Sequence, residues 1–150
     1  MRIYLDNCCY GRPYDDQSSE QIIAETQSMR FIRKKIENGN LQLVTSYILH
    51  FENNQRPNEN QRDEITKFIK NNRKIHIGID NAENLLESVK EIMSTGIKRK
   101  DAYHVASAMF ANCDYFLSTD ERLLKYHSDK LKLLNPIEFV KLFGDDENGK

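Results

Sequence analysis

The chain has no tryptophan, and its three prolines and six glycines are scattered along 150 residues rather than clustered. No low-complexity segment or internal repeat is visible. Of three cysteines, Cys8 and Cys9 are adjacent and Cys113 stands alone. That number gives no disulfide framework, and without a CxxC pair there is no zinc signature. The cysteines read as reduced residues that pack. No apolar run approaches the ~20 residues of a membrane span, and "MRIYLDNCC" is too brief an apolar core for a signal peptide. A cytoplasmic protein with no membrane association is expected. An excess of either charge is also missing: the formal net charge is -1. The total neither favours nor excludes nucleic acid, because a local basic rim can coexist with a neutral sum.

What is present is an ordinary globular composition, 39% hydrophobic and 30% charged. One domain of this length buries roughly 68–70% of its unfolded-chain surface and needs no staple. Short apolar runs alternate with helical patterns. "RIYLD" at 2–6, "LQLVTS" at 41–46, "KIHIGI" at 74–79, "DYFLST" at 114–119 and "LKLLN" at 131–135 read as five strands. Between them, helical spacing runs from Asp16 to Asn38, over "YILHFENN", through Ile65, Phe68 and Ile69, and from Asp80 to Gly96. It resumes from about Lys100 to Asn112, over "DERLLKYH", and from Pro136 to Gly144. Asp80 fits an N-cap and Gly96 a stop, while Asn135 and Pro136 open the last helix and Gly144 should end it. Residues 1–143 therefore form the domain, and "DDENGK" is expected to be part of a disordered acidic tail over 144–150.

Alternating strands and helices predict a parallel sheet covered on both faces, an α/β/α sandwich. Right-handed crossovers bring every strand's C-terminal end to one edge, where ligands of such folds bind. Several acids fall there. Asp6 closes the first strand, Asp101 opens the helix in "GIKRKDAYHVASAMF", and Asp120 follows Ser118 and Thr119. Glu52 lies about two turns into the helix after the second strand. Singly, Asp101 and Asp120 are ordinary first-turn helix charges. Asp6 is harder to dismiss, since "NCCYGRP" starts no good helix for it to cap and a partly buried acid is costly unless paired or metal-bound. Acids within ~4 Å of one another would repel by about 4 kcal/mol per pair at an effective dielectric near 20, a cost that a divalent cation removes. All-carboxylate ligation without histidine or cysteine selects Mg²⁺ or Mn²⁺, which commonly serve phosphoryl-transfer chemistry.

In this order and separation the motifs resemble the PIN-domain family, which includes VapC-type ribonuclease toxins. The likeness covers essentially 1–143, and "LDNCC…RP" is closest to one bacterial branch of the family. "YLD" matches the family's first-strand aspartate at Asp6. "TSYILHFEN" matches its helix glutamate at Glu52, "KRKDAYHVASA" its Asp-Ala helix start at Asp101, and "FLSTDERLL" its Thr/Ser-x-Asp turn at Ser118 and Asp120. Where the toxin opening often carries a small Ser or Thr, this chain has Cys8.

The resemblance implies a PIN-like five-stranded parallel sheet, Mg²⁺ or Mn²⁺ dependence and endonucleolytic cleavage of RNA. Asp6, Asp101 and Asp120 would bind metal and activate water, with Glu52 completing the site and Ser118 hydrogen-bonding beside it. A toxin of a type II toxin–antitoxin pair, a cognate antitoxin and a homodimer are further implications. Asn7 is a candidate extra oxygen, although a turn role suits it better. Arg12, Lys98, Arg99 and Lys100 read equally as an RNA-gripping rim or as solvated loop charges. His104 reads as structural rather than as a base. The alternative function is a catalytically silent PIN module that binds RNA or a protein. A phosphoacceptor domain ranks well below, because Asp6 lacks an acidic neighbour and no lysine follows the fifth strand.

Overall fold

A computed structural model describes the backbone of residues 1–148 and the side chains of residues 1–144. The five strands are β1 (Arg2–Leu5), β2 (Gln42–Ser46), β3 (Arg73–Ile77), β4 (Tyr115–Leu117) and β5 (Lys132–Leu134). They form one all-parallel sheet in the order β3-β2-β1-β4-β5, with β1 central as its apolar run requires. The chain builds outward from β1 to β3, then returns to lay β4 on the other side of β1. The strand order therefore reverses between β1 and β4, and a crevice opens at their C-terminal ends.

Side chains of β1 alternate between two cores. Ile3 and Leu5 pack with Met29, Ile32 and Ile36 of α2 (Glu20–Glu37), Ile65 and Phe68 of α4 (Glu59–Asn72) and Phe139 of α8 (Pro136–Asn148). Tyr4 points the other way, to Leu85, Val89 and Ile92 of α5 (Ala82–Met93) and to Ala102, Val105 and Ala106 of α6 (Arg99–Phe110). The small residues of α6 lie fully buried against this face. The remaining helices are short: α1 (Asn7–Gly11), α3 (Tyr47–Asn54) and α7 (Glu121–Leu124). The result is the predicted PIN-like α/β/α sandwich.

Three local expectations are corrected. A helix does follow the first strand at once: Asp6 is its N-cap, accepting a bond from Asn7 N at 2.8 Å. Asp80 is not a cap. It sits in a 3-10 turn at Ile79–Asn81, and α5 starts after Asn81 without a side-chain cap. Gly144 does not end α8, which continues to Asn148. Among the described residues, only Gly39 and Gly96 are glycines with the positive φ that makes glycine a helix stop, at 82° and 103°. The expected tail is thus helical through Asn148, and residues 149–150 lie outside the described residues. No described helix is long and apolar enough to cross a membrane.

Candidate active site

Asp6 stands at the reversal point. Its backbone N–H reaches across to Leu117 O at 2.9 Å, so the end of β1 is tied to the end of β4. Its side chain is buried and saturated on that side: Oδ1 accepts from Asn7 N, and Oδ2 accepts from Ser118 Oγ at 2.8 Å. Ser118 also accepts from Asp120 N at 3.0 Å, which fixes the turn into α7. Asp120 itself is exposed and N-caps α7 through Arg122 N at 3.0 Å.

Ser46 ends β2 and N-caps α3, accepting from Leu49 N. This cap starts the helix that carries Glu52 inward. There Glu52 meets His104, a wholly buried residue one turn after Asp101 on α6. His104 Nε2 is hydrogen-bonded to Glu52 Oε1 and lies 3.9 Å from Asp6 Oδ1. One potential ligand atom each from Asp6, Glu52 and His104 falls within 4.8 Å of the others, a spacing at which a metal ion fits once the His104 imidazole is neutral.

The electrostatics describe one coupled group. Burial pushes the His104 imidazole down, but its bond to Glu52 and the charges of Asp6, Glu52 and Asp101 outweigh this and hold it above the ordinary histidine value. For Glu52, burial pushes upward and is overcome by the same histidine, then by Lys100 and Arg56, leaving the carboxyl below its usual range. Both directions describe an ion pair. With both ring nitrogens protonated, His104 donates from Nε2 to Glu52 and from Nδ1 to Tyr4 Oη, 2.6 Å away. The phenol hydrogen is then free for Ser46 Oγ, also at 2.6 Å. Burial, and then the charges of Asp6, Asp120 and Glu52, push the Asp101 carboxyl up, with His104 acting against them. Accumulated negative charge of this kind is what a divalent cation relieves.

Asp101 is half-buried and, with Asp120 and Lys98, lines a cleft of about 410 Å³ that also takes in Arg122 and Tyr126. The structure thus gathers Asp6 and Glu52 around His104, sets Asp101 beside them, and leaves Asp120 at the rim.

Other candidates are placed differently. Asn7 opens α1, and its Oδ1 is taken by Arg56 Nη2 at 2.6 Å, so its amide oxygen serves that bond rather than an open ligand position. Arg56 also donates to Asn7 O at 2.7 Å and Asn53 Oδ1 at 2.8 Å, bracing α1 against α3. Arg12 pairs with Asp15 at 2.9 Å and lies 3.0 Å from buried Glu25, out of line for a hydrogen bond there. Two acids already occupy this guanidinium, and it braces the 3-10 turn at Arg12–Tyr14 against α2 instead of forming an open rim. Lys98, Arg99 and Lys100 are exposed at the start of α6.

His104, Tyr4 and Arg56 are the site residues that motif reasoning missed. The expectation of a histidine-free acid cluster is accordingly corrected. The three-residue spacing of Asp101 and His104 on one helix was the available signal, since it puts both on one face. Nothing in the sequence marked Tyr4 or Arg56. The three cysteines are free, but Cys8 is more than packing. Its thiol lies 3.5 Å from Asp6 Oδ2 and accepts from Thr119 N at 3.4 Å.

No family model and no curated protein matches the chain. Solved structures that share its architecture include three toxin–antitoxin complexes. VapBC2 from Rickettsia felis, bound to a DNA fragment from their promoter, is 14% identical with a TM-score of 0.57, over 90% of this chain and 98% of that one. FitAcB from Neisseria gonorrhoeae is 15% identical with a TM-score of 0.53, over 89% and 97%. FitAB bound to an IR36 DNA fragment is 17% identical with a TM-score of 0.59, over 90% and 95%. At these identities the likeness is one of fold. The chain therefore has the PIN/VapC-like fold, near its full length in both directions.

Proposed function

We propose that the protein is a cytoplasmic endoribonuclease that uses Mg²⁺ or Mn²⁺ to hydrolyse RNA phosphodiester bonds, and that it is the toxin of a toxin–antitoxin pair. The observation that carries this reading is the convergence of Asp6, Glu52 and His104, with Asp101 beside them, in the crevice where the strand order reverses. Carboxylate oxygens of Asp6, Glu52 and Asp101 suit a hard divalent ion and would hold it, and Asp120 at the rim would complete the set. When bound, such an ion supplies Lewis acidity that activates water and shields charge on the phosphate.

The chain's own residues do the rest. Ser118 and the α1 amide fix the Asp6 rotamer. His104 orients Glu52 from beneath and carries the positive charge that keeps this carboxylate ionised. Lys98 and Arg122, in the cleft with Asp101 and Asp120, offer charge to a phosphate backbone. The antitoxin partner is supported by the shared fold of the VapBC2 and FitAB complexes.

A second reading is favoured by one specific feature. Glu52 and His104 already satisfy each other, which also suits a module that binds RNA or a protein without cutting. Labelled RNA incubated with wild-type protein and with Asp101→Asn, in Mn²⁺, Mg²⁺ and EDTA, separates the two. The nuclease reading expects cleavage that needs metal and falls at least about 100-fold in the variant, the scale on which loss of a charge-stabilising group acts. No metal-dependent cleavage by wild type overturns it in favour of the silent module.

A further inference from the structure

Beside the site, α3 and α6 expose an aromatic and basic surface with no assigned role. Phe51 is 49% exposed, unusual for so large an apolar ring, and it directly precedes Glu52. Lys100 directly precedes Asp101, and its Nζ stands 5.6 Å from the Phe51 ring centroid. Behind this pair, Tyr47 and Tyr103 meet edge-on with centroids 6.2 Å apart, and the Arg99 guanidinium lies 5.8 Å from the Tyr103 ring. Lys98, Arg99 and Lys100 are exposed, and among the described residues none of them forms an ion pair with a carboxylate. Each half of the surface is therefore one residue away from a candidate metal-binding acid.

We propose that Phe51 is a stacking platform for an unpaired RNA base and that Lys100 and Arg99 hold the flanking phosphates. The proposal rests on the reading of the chain as an RNA-acting protein and names residues that position its substrate. Charge complementarity selects the occupant. An exposed aromatic face bordered by unpaired cations matches the two chemistries of a single strand, a π-face on every base and a charge on every phosphate. In duplex RNA the bases are stacked on each other and offer no face to Phe51. Lys100 stands beside the Phe51 ring and immediately precedes Asp101, so the stacked nucleotide would lie near the head of α6 and its candidate metal-binding acid.

The absence of tryptophan makes a direct test possible. Phe51→Trp introduces the sole indole fluorophore at the platform, and Phe51→Ala removes the ring. Position 51 is half-exposed surface, and thermal unfolding verifies that each variant folds. Binding of a labelled single-stranded oligonucleotide and of its duplex is measured in EDTA, where metal-dependent cutting is off, followed by cleavage of the same strand in Mn²⁺. Phe51→Ala should weaken single-strand binding about 10-fold or more and leave duplex binding unchanged. Phe51→Trp should keep the affinity, and its fluorescence should be quenched by the single strand alone.

Equal binding by Phe51→Ala, or an indole indifferent to single-stranded RNA, overturns the platform. So does sedimentation showing that Phe51→Ala converts a dimer to monomer with RNA affinity unchanged, because a second copy would then be the occupant. The two readings fail separately. Phe51-dependent binding without cleavage by wild type leaves the platform standing and removes the nuclease, whereas metal-dependent cleavage insensitive to Phe51 does the reverse.

Discussion

Tyr4 joins the central strand to the candidate active site through its hydroxyl. It is fully buried, stacks on Phe116 at 5.3 Å, and bridges His104 Nδ1 to Ser46 Oγ. The geometry of the candidate site therefore depends on a residue whose hydroxyl reaches His104 and Ser46 but none of the candidate carboxylates. Tyr4→Phe preserves the ring and deletes the bridge, leaving a buried imidazole N–H without an acceptor. That should cost about 1–3 kcal/mol in urea unfolding. It should also reduce metal-dependent cleavage, because Glu52 loses the fixed orientation of its partner. Unchanged stability would show that a water or a neighbouring group replaces the hydroxyl. His104 shows why this was hidden from the sequence. Its one-turn spacing from Asp101 was visible, but a histidine among Ala102, Val105 and Ala106 reads as a packed core residue until Glu52 arrives from another element.

At the scale of elements, helix ends decide what the site looks like. Asp6, Ser46 and Asp120 are all N-caps, of α1, α3 and α7, and their backbones enter these helices from the same sheet edge. The order of these elements was legible, and most of their boundaries to within a few residues, because period-2 and period-3.6 patterns persist in short segments. The five-residue α1 was not, because one turn has no period to read. Glycine position was legible only in part. Gly96, at φ 103° after α5, is required there, and Gly96→Ala should destabilise by about 1–3 kcal/mol. Gly144 lies inside α8 with open space where a Cβ would go, so Gly144→Ala should stabilise by about 0.4–1 kcal/mol. Thermal unfolding of the two variants checks both signs, and equal shifts in one direction would contradict the assigned backbone conformations.

For the whole molecule, two apolar layers enclose several groups that must keep their protons. Burial pushes the phenols of Tyr4 and Tyr10 and the thiol of Cys9 upward, and it raises the Cys113 thiol from 9.0 to about 12. Values raised in the folded state mean that the native protein binds these protons more tightly than the unfolded chain does. Their contribution is complete below the unfolded values and is lost as pH rises through the folded ones. Stability should thus fall above about pH 9, with Cys113 alone contributing up to about 1.4 kcal/mol per pH unit between pH 9 and 12. Urea midpoints at pH 8 and 10.5 test this, and a flat profile would contradict the burial of these groups. Hydrophobic periodicity by itself determined the α/β class, the central place of the first strand and the edge on which the acids gather, since each depends on local pattern and the handedness of crossovers. Only the tertiary structure decided which groups touch. Glu52 and His104 are 52 residues apart, and Asp6 and Ser118 are 112 apart. Their contacts arise from strand order and from the helices packed on each face, whose geometry no local spacing records.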